Sequence, residues 1–420
     1  MKKRLLFIAL MGAMSSAYSI DTTVDPRSVA MGGAGVAAAN GMNAMFQNPA
    51  AMSGLSKESF TLEAPLQVRL LDEGDLKTNL DTVNTSANNL SNAMSLFSAS
   101  QSAADAAAAA TALSNFSNAL LLVDGKNLMG TLYGGLMMAV PSKNTAFGLK
   151  LDARTAFGGA FNYSTADQTT INTLATDLGQ CALGTVASCS AAAGQVDANG
   201  QITTLTSDFN VRGVVIGEVG LSMAHHYEEA GGFDIGITPK YMKLTTFDIV
   251  SSAQSGNASA TSTDGNQQNE SAFNLDLGAS KTYTMGNGNH VKTGVVMKNV
   301  ISKSFKTFYG NPIELSPQLT AGVAYGSEWF TGTADVDVKK NKAMIPGITH
   351  ESQFVRLGAE LDAWGWAQLR FGYRHDLAGN YEGLPSLGMG LNLKLVNIDF
   401  AVAAASKKEA VASLQIGTHF

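Results

Sequence analysis

The sequence predicts an all-β protein: a 14-stranded antiparallel outer-membrane β-barrel with an N-terminal luminal plug and a helical hairpin insertion in the first long loop. Three observations support this. The chain opens with an export signal, segments of alternating apolar and polar residues recur over residues 57–420, and the connections between them are short and long in turn. Outer-membrane barrels join an even number of strands through short periplasmic turns and longer outside loops.

The last predicted strand shows the alternation most clearly. Leu414, Ile416 and Phe420 share one face, and Ser413 and Gln415 share the other. Side chains of a strand alternate between two faces, so the first set should contact outer-membrane lipid and the second the lumen. A terminal aromatic residue is typical of such strands, and Phe420 therefore predicts the barrel-assembly machinery as a partner.

The amino terminus predicts export. A basic cluster, Lys2-Lys3-Arg4, precedes a short apolar run and small residues up to Ser19, which is the pattern of a signal peptide over residues 1–19. Its cleavage would leave a protein of the Gram-negative outer membrane. The formal net charge of −6 argues against a nucleic-acid partner, which needs a basic surface.

Cys181 and Cys189 lie close together in a stretch rich in Ser, Ala and Gly. In an oxidising compartment this spacing favours a disulfide that closes a small loop. A metal site is the alternative, although no His lies nearby to complete a ligand set.

The lumen-facing positions of the predicted strands carry charges of both signs. Interleaved signs argue against a pore selective for one charge. We expect these residues to form salt bridges across the lumen that hold an internal plug, with ligand contact or simple solvation as alternatives. The candidate lumen-lining residues are Arg154, Arg212, Glu218, Lys240, Asp335, Arg356, Glu360, Arg370 and Arg374.

Residues 20–56 do not resemble a lipid-facing strand, because they combine glycines, alanines and an Asn-Pro break. They predict a compact plug, or hatch, inside the barrel. Their glycine run is not followed by the Gly-Lys-Ser/Thr of a phosphate-binding loop. The candidate plug and gate residues are Gly33, Gly35, Phe46, Asn48, Pro49 and Ala50.

The run Met31-Gly-Gly-Ala-Gly-Val-Ala37, followed by Asn48-Pro-Ala50, resembles the hatch of the FadL-like outer-membrane barrels. The segment Ile235–Tyr241 and the carboxy-terminal half resemble one branch of that superfamily, the plasmid conjugal transfer TraF-like family. The resemblance implies a fourteen-stranded barrel closed by a hatch, and it implies passage of fatty acids or other hydrophobic compounds.

The first long loop, residues 75–128 within the barrel domain 57–420, predicts two antiparallel helices. Its apolar residues recur at intervals of three and four, as on one face of a helix. The hairpin either caps the pore or offers an apolar platform that captures a ligand or a protein. The candidate outer apolar surface is Leu76, Leu80, Val83, Leu90, Met94 and Phe97.

No pattern in the chain predicts catalysis, and we expect no enzyme activity, no cofactor and no metal site. His225 and His226 precede Glu228 and are expected in an exposed turn. His350-Glu351 lacks the second His of a zinc-protease helix.

The sequence therefore predicts passage of hydrophobic small molecules across the outer membrane, gated near Asn48-Pro49-Ala50. The alternative is a sealed barrel that serves as a structural or docking component of an envelope system such as the conjugal transfer machinery. The cargo, the partners and the oligomeric state do not follow from the sequence.

Overall fold

The computed structural model describes residues 23–55, 60–72, 74–141, 144–196, 202, 205–229, 232–252, 267–346, 349–363, 365–406 and 408–419. The predicted signal peptide and Phe420 lie outside these residues.

Within this part of the chain, fourteen antiparallel strands close into a barrel, as predicted. Each strand pairs with its neighbours in the chain, and β1 pairs with β16 to complete the cylinder. The barrel strands are β1 (Thr61–Asp72), β2 (Asn127–Pro141), β3 (Thr145–Asn162), β4 (Asp208–Tyr227), β5 (Phe233–Ser252), β6 (Gln267–Thr284), β7 (His290–Lys298), β10 (Gln318–Gly326), β11 (Phe330–Asp337), β12 (Phe354–Ala363), β13 (Ala367–Asp376), β14 (Leu384–Leu393), β15 (Val396–Ala405) and β16 (Glu409–His419).

The wall alternates between an exposed apolar face and a buried polar face. On β13, Leu369 and Phe371 are 48% and 46% exposed, whereas Arg370 and Arg374 are 5% and 3% exposed. This is the pattern of a barrel whose outer surface meets lipid and whose inner surface is polar.

The two ends of the barrel differ in their connections. Short turns join β2 to β3, β4 to β5, β6 to β7, β10 to β11, β12 to β13 and β14 to β15, and we call this the turn end. The opposite end carries the longer connections and is the loop end. One of these connections forms a separate two-stranded sheet, β8 (Lys303–Lys306) and β9 (Pro312–Leu315), which the sequence analysis did not predict.

Residues 23–55, the N-terminal segment, pack against the inner faces of the barrel strands and are almost entirely buried. The segment contains helices α1 (Pro26–Ala30) and α2 (Ala44–Gln47) and 3-10 turns at Gly41–Asn43 and Pro49–Gly54. Helix α1 begins at Asp25, whose carboxylate accepts from Ser28 N, and Pro26 occupies its first turn. Both features are typical of a helix amino terminus.

Four helices of the described chain lie at the loop end and form the helical layer: α3 (Leu76–Ser100), α4 (Ala103–Val123), α5 (Thr165–Ala182) and α6 (Val186–Gly194). The first two occupy the predicted hairpin insertion. The second two lie in the next long loop, where no helix was expected. Cys181 and Cys189 form the predicted disulfide between α5 and α6.

The apolar stripe of α3 points into the helical layer. Leu76, Leu90, Met94 and Phe97 are buried, and Leu80 and Val83 are half-buried. Val83, Leu90, Met94 and Phe97 belong to one apolar cluster with residues of α4 and α5, so this part of the stripe does not form the outward surface that the sequence suggested. By length and composition α4 is apolar enough to cross a bilayer, but it packs against α3 and α5 through Ala109 and Leu113.

Asp167 fastens the helical layer to the barrel. Its carboxylate accepts from Thr206 N at 2.7 Å and Ser207 N at 2.6 Å, just before β4 begins. Burial alone would raise the pKa of Asp167, but hydrogen bonds from Ser207 and Thr206 outweigh it, and the pKa is lowered. The stabilisation is complete above the unfolded pKa of about 3.9 and is lost as the pH falls through the lower folded value.

Replacing Asp167 by Asn should loosen α5 at neutral pH by about 1–2 kcal/mol, because the amide cannot accept all of these hydrogen bonds. Amide hydrogen exchange of α5 measures this change. Asp177→Asn is the control, since Asp177 lies on the same helix. Within the described chain its carboxylate accepts one hydrogen bond, from the Gln195 side chain. Equal exchange rates in the two variants would contradict the anchoring role.

Candidate functional site: the barrel lumen

A buried ion-pair chain joins the N-terminal segment to the wall. Arg27 donates to both carboxylate oxygens of Glu360, with N–O distances of 2.8 Å. Glu360 also accepts from Arg370 Nε at 2.6 Å, and Arg370 pairs with Asp399. Such a bidentate pair fixes orientation as well as distance. Breaking it would leave an uncompensated buried charge, so the chain fixes the position of α1.

Asp335 on β11 holds the glycine run. One of its carboxylate oxygens accepts from Gly35 N at 2.7 Å and Val36 N at 2.8 Å. Gly33 has a φ of +87°, a conformation that favours glycine, and a Cβ on Gly35 would lie 2.8 Å from Gln47 Cγ. The glycines therefore let the backbone fold tightly enough to reach the wall.

Asn48 organises the Asn-Pro-Ala motif. Its Oδ1 atom accepts from Ala50 N, and its Nδ2 atom donates to Val36 O at 3.0 Å and to Ala279 O on β6 at 3.2 Å. Pro49 begins the following 3-10 turn. One amide thus ties two parts of the segment to each other and to the barrel.

The neighbouring side chains fasten the other end of the segment. Phe46 packs edge-on against Tyr133, with ring centroids 5.6 Å apart. Ser53 Oγ donates to Asp234 at 2.6 Å, and the same carboxylate lies 2.7 Å from His226 Nδ1. The expectation that His225 and His226 lie in a turn is wrong, because β4 and β5 extend to Tyr227 and Phe233 and place both residues in a strand.

A belt of inward glycines, which was not predicted from the sequence, makes room for this segment. A Cβ on Gly358 would lie 2.6 Å from Met31 Cβ, and a Cβ on Gly294 would lie 2.7 Å from Val36 O. Any larger residue would collide with the segment. The glycines of the described wall at which an added Cβ would meet the segment are Gly148, Gly236, Gly278, Gly294, Gly322, Gly358, Gly372 and Gly388.

The predicted lumen-lining residues lie on the inner wall, buried or half-buried, and within the described chain all except Asp335 form ion pairs. Glu218 contacts Lys150 Nζ at 2.6 Å, Arg154 Nη2 at 3.2 Å and Lys240 Nζ at 3.6 Å. Lys240 also pairs with Asp276 at 2.9 Å. This network joins β3, β4, β5 and β6 through side chains.

A second network lies on the opposite side of the lumen. Arg374 Nη2 and Arg69 Nη2 each lie 2.7 Å from Glu409, and Arg356 Nη1 lies 2.7 Å from Asp337. The Arg374 and Arg356 guanidinium groups stand over the Phe354 ring, 4.5 and 5.1 Å from its centroid. Cations stack favourably on an aromatic face.

Toward the loop end the inner wall becomes apolar. We call this part of the lumen the apolar chamber; its wall residues are buried even though they face the lumen. Inward residues of outer-membrane barrels are normally polar, so this patch departs from the general pattern. Its wall residues are Leu71, Met129, Ala156, Val214, Ile216, Met242, Leu244, Ala272 and Phe354.

Two loops fill this chamber with their own apolar side chains. We call them the inner lid, residues 303–315 and 339–346. The two parts are joined by a hydrogen bond from Glu314 N to Met344 O at 2.7 Å. The lid residues that pack against the chamber wall are Phe305, Ile313, Leu315, Met344 and Ile345.

Asp248 is the point to which the inner lid is attached. It accepts from Thr307 Oγ1 at 2.9 Å and from Asn311 Nδ2 at 2.6 Å, and Arg212 Nε lies 3.6 Å away. Arg212 also donates to Pro346 O at 3.3 Å. One fully buried carboxylate and its arginine therefore hold both parts of the lid.

The family described as "F plasmid transfer operon, TraF, protein" matches residues 45–337. The chain belongs to this family. The resemblance predicted from Ile235–Tyr241 and the carboxy-terminal half is thereby confirmed. No curated protein sequence matches this TraF family member.

Solved structures share its fold. The toluene transporter TbuX of Ralstonia pickettii is 13% identical, with a TM-score of 0.54 over 96% of this chain and 99% of its own. The toluene transporter TodX of Pseudomonas putida is 12% identical, with a TM-score of 0.51 over 96% of this chain and 99% of its own. A Pseudomonas aeruginosa FadL homologue is 9% identical, with a TM-score of 0.46 over 97% and 99%. The likeness to TbuX and TodX confirms the predicted barrel fold.

Replacing Gly358 by Val should displace the N-terminal segment, because the new side chain would occupy the position of Met31. Overpacking of this kind costs about 1–3 kcal/mol. We expect measurable ion conductance of the purified variant in a planar lipid bilayer. Gly217→Val is the matched control, since a Cβ there meets nothing closer than Lys243 O at 4.0 Å. Equal conductance of both variants would contradict close packing at the belt.

Proposed function

We propose that this protein is an outer-membrane channel for small hydrophobic molecules. The observation that carries the proposal is the apolar chamber, which lies inside a lumen that is otherwise lined by ion pairs. Ligand sites combine apolar walls with few polar groups, and no part of barrel formation requires such a patch on the inner face. TbuX and TodX, which have the same fold, are described as toluene transporters.

The inner lid suggests how such a channel stays closed. Phe305 and Ile313 take the place that a hydrophobic ligand would occupy, because they are buried against the chamber wall. A ligand enters by displacing them, and the exchange of one apolar contact for another keeps the energetic cost low. Release of the Asp248 attachment would open the lid.

The N-terminal segment would act as the gate on the other side of the chamber. In this proposal residues 20–56 form a plug, residues 57–420 form the barrel and residues 75–128 form its helical insertion. Movement of Asn48, Pro49 and Ala50 away from Gly236 and Gly278 opens a path to the turn end.

The same proposal places the turn end in the periplasm. Residues 1–19 would be removed as a signal peptide, and the barrel-assembly machinery would recognise the terminal Phe420. The exposed apolar belt of the wall supports a lipid environment, since lipid-facing residues of such barrels are apolar.

The double variant Ile216→Thr/Leu244→Thr tests the chamber directly. It should weaken binding of a fluorescent naphthalene probe by about tenfold, because each change removes apolar contact area from the site. The control Leu221→Thr/Ile235→Thr makes the same two changes on the lipid-facing side of β4 and β5. Fluorescence titration of the purified proteins in one detergent gives both values.

Uptake of labelled toluene by cells carrying each variant extends the test to transport. We expect the chamber variant to lower the rate and the control to leave it unchanged. No uptake by the wild-type protein above empty vector would overturn the transport proposal.

Family membership favours a second function, a docking component of a conjugal transfer apparatus. Leu183 and Val186, at the tip joining α5 to α6, are 79% and 78% exposed and offer an apolar contact. Native mass spectrometry of gently extracted protein separates the two functions. Docking would be favoured if partner chains remain bound to the wild-type protein, if Leu183→Ser/Val186→Ser abolishes their binding, and if the naphthalene probe does not bind.

A further inference from the structure

A second space lies at the turn end, on the other side of the N-terminal segment from the apolar chamber. It is a cavity of about 330 Å3 between residues 40–43 of the segment and the inner faces of β1 and β12–β16. Cavities of roughly 300 Å3 and above are large enough for a small organic ligand. Its lining is polar, in contrast to the chamber, so it does not serve the proposed hydrophobic cargo.

The lining of this cavity is acidic overall. Of its arginines, Arg27 pairs with Glu360, and Arg370 pairs with Glu360 and Asp399. The remaining carboxylates have amide partners instead. Glu63 accepts from Gln415 Nε2 at 2.7 Å, and Asp362 accepts from Gln368 Nε2 at 3.2 Å. Among the described lining residues, two carboxyl groups, Glu63 and Asp362, therefore have no arginine or lysine partner.

Gln415 adds an independent observation. The residue is only 6% exposed, it lines the cavity, and its Oε1 atom has no hydrogen-bond partner within the described chain. A buried acceptor left unpaired costs about 1–3 kcal/mol. Its own Nε2 donates to Glu63 Oε2, so the unpaired Oε1 belongs to the same side chain that holds this carboxyl group.

The lining of this cavity suits an ammonium donor better than a metal ion. No group of three His, Cys, Asp or Glu side chains with metal-binding geometry occurs among the described residues. Primary ammonium groups, by contrast, carry three donors and no acceptor. Four strands separate β1, which carries Glu63, from β12, which carries Asp362, so the two excess carboxylates lie on different sides of the cavity.

We propose that this cavity binds an aliphatic polyammonium ligand, with one ammonium at Glu63 and Gln415 and another at Asp362. The ligand is a free polyamine or the lysine side chains of a peptide, since both present the same group. The site is independent of the hydrophobic path, because it lies beyond the N-terminal segment and uses different strands.

Isothermal titration of the full-length protein in detergent with spermidine tests this proposal. The wild-type protein should bind saturably, and 1,5-pentanediol, which has similar reach but no charge, should not bind. Titration with the amide-capped peptide Lys-Lys distinguishes the two sources: tighter binding of spermidine favours a free polyamine, and tighter binding of the peptide favours a protein segment.

Two variants locate the site. Glu63→Gln/Asp362→Asn keeps side-chain size and should weaken binding by about tenfold or more. Gln415→Met removes the unpaired acceptor without a change of charge and should also weaken it. Glu382→Gln is the control, since Glu382 is an exposed carboxylate paired with Lys408 at the loop end. Heat-modifiable migration on a gel confirms that each variant is folded.

The proposal fails if spermidine and the peptide do not bind the wild-type protein. It also fails if both cavity variants bind as the wild type does, or if Glu382→Gln weakens binding equally, which would show attraction to net charge alone. Naphthalene probe binding in the same preparations reports on the apolar chamber, so failure here is distinguishable from failure of the proposed channel function.

Discussion

The pairing of β1 with β16 is the constraint on which the rest of the structure depends. Eleven residue pairs, from Thr61 with His419 to Leu71 with Glu409, close the ladder. In a bilayer each unsatisfied backbone group costs several kcal/mol, so a sheet that spans it must have no free edge. Closure also fixes which residues face inward, since neighbouring strands share one register. The pairing of β1 with β16 therefore determines which side chains line the lumen.

The enclosed lumen is divided into three zones. Charged side chains pair around the N-terminal segment, apolar side chains line the loop end, and a polar cavity lies at the turn end. Buried ion pairs seldom stabilise more than apolar packing would, but they specify geometry because each partner needs the other. The ionic zone therefore positions the segment and separates the two spaces.

The sequence was sufficient to predict the barrel because half of every strand faces lipid, which leaves a period of two in the residues. Leu369, Phe371 and Tyr373 on β13 show that period without ambiguity. The four-residue strands β8 and β9 escaped notice because they are too short to show any alternation. Helix α5 had a detectable signal, Ser164 followed by Asp167 and then Ile171, Leu174 and Leu178, which is a helix cap followed by helical spacing.

The glycine belt and the apolar chamber could not be predicted from single strands. The register pairs Gly294 with Gly322 across β7 and β10 and Gly358 with Gly372 across β12 and β13, and these glycines become one feature only when the N-terminal segment packs against them. Likewise, Val214 and Ile216 have the pattern of ordinary strand residues until the structure shows that they face inward. The Asn48 motif was recognisable in the sequence, whereas its hydrogen bonds to Val36 and Ala279 required the fold.

The chamber is the centre of the proposed function, and a crystal structure of the protein soaked with a brominated alkane tests it most directly. Anomalous scattering locates bromine without reference to the protein. The account predicts bromine between Ile216 and Leu244, with Phe305 and Ile313 displaced from the wall. Bromine confined to the lipid-facing surface, with the inner lid in place, would contradict it.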